Sequence, residues 1–235
     1  MSIEEKEVRE YIETLPSKII KGCKKFHELE PRDIGYPLAM KIISRNHRDV
    51  RRIQIAGKLI IITWNFGYYK TLPEEIKRRL DTEIEEAYNS CKKEIKELRK
   101  ETLQKIDLKK YGGLIKKIFY SFSTKESIKF TGASKILHLI LPNLFMMWDK
   151  SIREAYHKLH SSPEHSEEDC YLDFLHQTQG VIRNILREKT EKELWKKHIE
   201  SLDKKFLKVF AFKRENILKM IDECNYVRFK KSIVF

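Results

Sequence analysis

Ser127-Ile-Lys-Phe-Thr131-Gly132-Ala133-Ser134-Lys135-Ile-Leu-His138-Leu-Ile-Leu-Pro142-Asn-Leu-Phe-Met-Met-Trp148-Asp149-Lys-Ser-Ile-Arg153-Glu-Ala-Tyr156 is the stretch of this chain that says most about its fold. It reads as a short hairpin, an apolar helix, a loop and a second helix. Thr131-Gly132-Ala133 can turn tightly, because glycine tolerates positive φ and small neighbours let another backbone approach. Backbone N–H groups at the start of the following helix would then face outward, as a ready phosphate site. Asp149 stands where a carboxylate accepts the unpaired N–H groups of a first turn, which predicts a helix over Lys150 to Leu159.

Outward from this stretch the apolar residues recur at helical spacing, and no run alternates with period two, so the sequence predicts an all-α fold with no strand. Helices are expected over Ile3 to Thr14, Ser17 to Leu29, Tyr36 to Arg45 and about Asp49 to Asn65, punctuated by Pro16, Pro31 and Pro37. Pro73-Glu-Glu opens a long, highly charged helix at its first turn, expected to run to about Lys105 on a surface or between lobes. A shorter helix, Leu114 to Phe122, follows Gly112-Gly113. Glu167 to Tyr226 reads as three more, broken near Thr190 and Ser201-Leu-Asp203, and Ser161 to Ser166 reads as a linker. Residues 1–235 are expected to form one multi-helix domain with two lobes that meet near residues 127–156.

Composition narrows the function. The chain has 235 residues, 48 Lys+Arg against 35 Asp+Glu, and a net charge of +13. Residues 105–135 hold +6 and residues 189–231 another +6. Positive charge concentrated in this way favours a polyanion through counterion release, and nucleic acid is the commonest one. A lysine-rich, thermophile-like surface with no such partner is the plainer reading, since Lys, Glu and Ile abound while only four Gln appear. No apolar run reaches the roughly 18 residues of a membrane span. The acidic N-terminus lacks the order of a secretory signal, so a cytoplasmic location is expected. Cys23, Cys91, Cys170 and Cys224 are widely spaced and are expected to be free thiols. No P-loop, Rossmann glycine pattern, H-E-x-x-H or G-x-S-x-G occurs, and no cofactor is expected.

Within the basic region, Lys125, Lys129 and the turn Thr131, Gly132, Ala133 and Ser134 are the candidate phosphate contacts. Lys135, placed in a first helical turn where the dipole disfavours an ammonium, is a candidate nucleophile toward an electrophilic carbon such as a sugar C1′. A solvated lysine is the alternative. Trp64-Asn-Phe66-Gly67-Tyr68-Tyr69, His138 and Trp148 are candidates for a base pocket, weighed against ordinary core packing. His157, His160, His165 and Cys170 lie close enough in sequence to consider a metal, but match no standard spacing, and no metal is predicted. Tyr226-Val-Arg-Phe-Lys-Lys either follows a phosphate backbone or is a frayed end.

The order Gly132-Ala-Ser-Lys135, apolar helix, loop, Trp148-Asp149, basic helix resembles the helix-hairpin-helix segment of the HhH-GPD superfamily of DNA glycosylases. The resemblance covers about 30 residues. Thr131 and Ala133 stand where the family pattern Gly-Val-Gly-x-Lys has its two glycines, and Lys135 and Asp149 are closer together than is usual there. It implies a two-lobed helical fold, duplex DNA as partner, Lys135 as the nucleophile attacking C1′ of a flipped nucleotide, and Asp149 as the assisting carboxylate. The alternative on the same scaffold is a helical nucleic-acid-binding protein that performs no chemistry. A third is a helical interaction protein.

Overall fold

In a computed structural model, described over residues 3–30, 35–44, 48–159, 165–201 and 216–235, the chain is all-α. Among the described residues there are twelve α-helices and no strand. They are α1 (Ile3–Leu29), α2 (Gly35–Ser44), α3 (Val50–Trp64), α4 (Phe66–Tyr69), α5 (Glu74–Ser90), α6 (Lys92–Glu97), α7 (Leu108–Ser123), α8 (Lys129–Ile140), α9 (Lys150–His157), α10 (Glu167–Glu188), α11 (Glu191–Ser201) and α12 (Ile217–Asn225). A 3₁₀ turn (Leu98–Lys100) follows α6 and a π-helical turn (Tyr226–Lys230) follows α12. Among the described residues no helix is long and apolar enough to cross a membrane.

The chain divides into two compact units, one formed by Met1–Pro31 with Asp149–Phe235, the other by Arg32–Trp148. In the first, α1 packs on α9, α10, α11, α12 and the π turn. The expected break at Pro16 does not occur, and α1 runs through it. An interior proline costs roughly 3 kcal/mol, but Val8, Tyr11, Leu15, Ile19, Cys23 and Phe26 make one continuous buried stripe on both sides of it. Burial of that stripe offsets the lost hydrogen bond.

In the Arg32–Trp148 unit, α3 is the centre and packs against α2, α5 and α8, while α7 packs on α5 and α8. Asp49 caps α3 by accepting from Arg51 N. The expected long helix from Pro73 is broken at Cys91, whose buried thiol donates to Ala87 O at 3.1 Å. Its first part is not a solvated surface helix, because Ile76, Leu80, Glu83, Ile84, Ala87 and Tyr88 are buried. Nor does α7 wait for Gly112-Gly113. Asp107 caps it by accepting from Lys109 N and Lys110 N, and Leu108, Ile115, Ile118, Phe119 and Phe122 carry its buried face through the glycines.

Trp148, read from sequence as a pocket candidate, is a core residue at 1% exposure. Its backbone N–H donates to Ser134 Oγ at 2.9 Å, and its ring meets Phe119 edge-on at 6.0 Å between centroids. Trp148→Ala is expected to lower the unfolding free energy by about 3–5 kcal/mol. Urea denaturation checks this, and a change below about 1 kcal/mol would contradict the packing described.

Candidate functional site

The turn that the sequence places at Thr131-Gly132-Ala133 lies earlier in the chain. Residues 131–135 are inside α8, and the chain turns over Thr124–Ile128. That position is fixed by a residue far away in sequence. The buried Glu83 carboxylate accepts from Ser127 N at 2.9 Å and Ser127 Oγ at 2.6 Å, and Tyr68 OH donates to Glu126 O at 2.7 Å. No described glycine has positive φ; the left-handed residue here is Lys129, at φ 55°. Gly132 is needed for close packing instead of turning. A Cβ on it would sit 2.7 Å from Ile61 Cδ1 and 3.0 Å from Ile128 Cγ2. The N–H groups of Ala133, Ser134 and Lys135 are therefore spent inside the helix and cannot cradle a phosphate.

Of the basic candidates, Lys129 is exposed, while Lys125 is half-buried and pairs with Glu86 at 2.6 Å. Lys135 lies beyond the first turn of α8, so the dipole argument for its amine no longer applies. Nor is it a solvated lysine. It is 5% exposed, and its Nζ donates to Trp64 O at 2.7 Å and lies 5.9 Å from the centre of the Trp64 ring. Trp64 ends α3 and is half-buried; its ring stacks on Tyr36 at 5.7 Å and 28°. Next to it, Phe66 is 49% exposed.

Tyr36 extends this group to His138. The hydroxyl and His138 Nε2 are 2.9 Å apart, and His138 Nδ1 is 2.7 Å from Phe145 O. A carbonyl oxygen only accepts, so the proton of a neutral ring is on Nδ1, and Nε2 accepts from Tyr36. His138 is fully buried and orients Tyr36. The result is one cluster within the Arg32–Trp148 unit: an amine beside a stacked Trp64–Tyr36 pair backed by a histidine.

Asp149 belongs to the other unit and caps α9, accepting from Ile152 N at 3.1 Å, with Lys230 Nζ 3.8 Å from Oδ2. Helix α9 ends at His157, two residues before the expected end. His157, His160, His165 and Cys170, weighed from the sequence without a metal being predicted, form no metal-type group among the described residues. His160 lies outside them, His165 pairs with Asp173 at 3.2 Å, and burial raises the Cys170 thiol above its ordinary value. All four cysteines are free thiols. The C-terminal Tyr226–Lys231 stretch is packed and not frayed: Tyr226 OH donates to Glu30, Phe229 meets Tyr11 and Tyr156 edge-on, and Arg228 reaches Glu7.

Division into units changes the reading of the charge. Residues 32–148 contain 24 Lys+Arg against 13 Asp+Glu, net +11, while the other unit contains 24 against 22, net +2. The basic tail of the chain is thus matched by acidic residues of its own unit. The excess belongs to the unit that holds Lys135. No family model, no curated protein and no solved structure matches the chain.

Proposed function

We propose that this protein binds DNA through its Arg32–Trp148 unit and acts at damaged nucleotides as a base-excision glycosylase and lyase, with Lys135 as the nucleophile. The observation that carries the reading is the Lys135 amine itself, 5% exposed, beside the Trp64–Tyr36 stack in a unit of net charge +11. Burial removes the water shell that favours an ammonium, which is a general route to nucleophilic lysines. The half-buried Trp64 and exposed Phe66 offer aromatic faces for an unstacked base.

At an abasic site the neutral amine adds to the C1′ aldehyde, and water leaves to give an imine. A proton is lost from C2′, and its electron pair forms the C2′–C3′ double bond as the 3′-phosphate leaves. Hydrolysis of the imine returns the lysine. In base removal the same amine takes C1′ as the N-glycosidic bond breaks and the base departs. Asp149 is used in no step.

A second reading is favoured by the hydrogen bond from Lys135 to Trp64 O. Trp64 closes α3, and a lysine there satisfies a terminal carbonyl and suits the dipole. On that reading the protein binds nucleic acid and breaks no bond. End-labelled duplex carrying one abasic site separates the two. Binding that weakens steeply with salt, together with β-elimination product, is the expected result. Binding without product selects the second reading, and absence of binding at low salt overturns both.

A further inference from the structure

The Met1–Pro31/Asp149–Phe235 unit buries a cluster of metal-type donors that the proposed chemistry does not use. Cys23 Sγ, a ring nitrogen of His198 and a carboxylate oxygen of Glu223 all lie within 4.8 Å of one another. All three residues are at most 1% exposed. Each comes from a different helix: α1, α11 and α12. His27 stands one turn after Cys23 on α1, and its Nε2 is 3.5 Å from Glu223 Oε2, while His198 Nε2 is 3.8 Å from the same oxygen.

We propose that Cys23, His198 and Glu223 form a binding site for a divalent transition metal of the zinc type, which His27, outside the group of mutually close donors but 3.5 Å from Glu223 Oε2, completes as it turns toward the metal, stapling α1 to the C-terminal helices. The donor set is one sulfur, two imidazoles and one carboxylate, the mixture that zinc accepts in tetrahedral sites. With metal–ligand bonds of about 2.0–2.3 Å, ligand atoms of a tetrahedron stand about 3.3–3.7 Å apart. The 3.5 Å separation of His27 Nε2 from Glu223 Oε2 falls in that range, and the 3.8 Å of His198 Nε2 lies just outside it.

The charges also agree. Lys219 Nζ donates to Glu223 Oε1 at 2.7 Å, leaving Oε2 on the side of the imidazoles, and so orients the carboxylate from outside the donor set. Asp222, 3.9 Å from Lys219, is a second carboxylate beside the ammonium. The Cys23 thiolate and Glu223 carboxylate then balance a dication, and entry of the metal releases the thiol proton.

The test uses the full chain without a histidine tag, stripped by a chelator and titrated with Co²⁺. The expected result is one equivalent bound with a thiolate-to-cobalt charge-transfer band and tetrahedral visible bands, displaced by Zn²⁺, with Zn²⁺ raising the melting temperature by about 10 °C at high saturation. Cys23→Ser should lose the charge-transfer band and Cys224→Ser should keep it, although the two sulfurs are 4.0 Å apart. His198→Gln should weaken binding by about 100-fold. Absence of bands and of a melting shift in the wild-type chain overturns the site whatever the variants do. Retention of the charge-transfer band by a folded Cys23→Ser protein overturns it equally. Neither result bears on Lys135, which is in the other unit.

Discussion

A Lys135→Arg variant is expected to fold, to bind DNA with the wild-type salt dependence, and to lose strand cleavage at abasic sites by at least about 10³-fold, the order that follows removal of a covalent nucleophile. The choice of arginine matters. Lys135 Nζ donates to Trp64 O and lies against the Trp64 ring. Arginine keeps the charge, the donors and the affinity for an aromatic face, yet its guanidinium does not give up a proton and cannot form an imine. Alanine would remove the hydrogen bond and the nucleophile together, and loss of activity would not separate them. Strand cleavage retained by the arginine variant would show that Lys135 only holds the end of α3.

The second large effect is expected at Glu223. Glu223→Ala should cost about 3–5 kcal/mol of stability, measured by urea denaturation in the presence of a chelator so that no metal contributes. Lys219 is 3% exposed and its 2.7 Å contact is with Glu223, so the substitution takes a close carboxylate away from a buried ammonium, with Asp222 at 3.9 Å. Replacing both residues by apolar ones of similar volume, Glu223→Leu with Lys219→Met, should recover most of the loss, since a buried ion pair contributes little relative to good packing. A Glu223→Ala protein within about 1 kcal/mol of wild type would contradict this account of the cluster.

How far the sequence could be read depended on the range of the interaction. Asp149 as the cap of α9 and the apolar run of α3 were legible because capping and periodicity act within a turn or two. Pro16 misled, because its local penalty is outweighed by a buried stripe that presses α1 onto helices from the other end of the chain. Gly132 is the residue of this stretch best able to make a turn, yet the turn before α8 lies elsewhere. Its actual position is set by Glu83, 44 residues upstream, and the glycine serves close packing against Ile61. Lys135 was legible as a residue of interest, but its burial and its contact with Trp64, 71 residues away, were not. No local spacing links Cys23, His198 and Glu223, so that cluster carries no sequence signal. The +13 charge was plain, but its concentration in residues 32–148 required the division into units.

The measurement that bears most directly on the central claim is borohydride reduction of the wild-type protein on duplex DNA containing an abasic site, followed by peptide mass analysis of the adduct. A secondary amine joining the deoxyribose to Lys135, absent from the Lys135→Arg protein, is the predicted result. No adduct from protein that demonstrably binds the same duplex, or an adduct on another lysine, would contradict it.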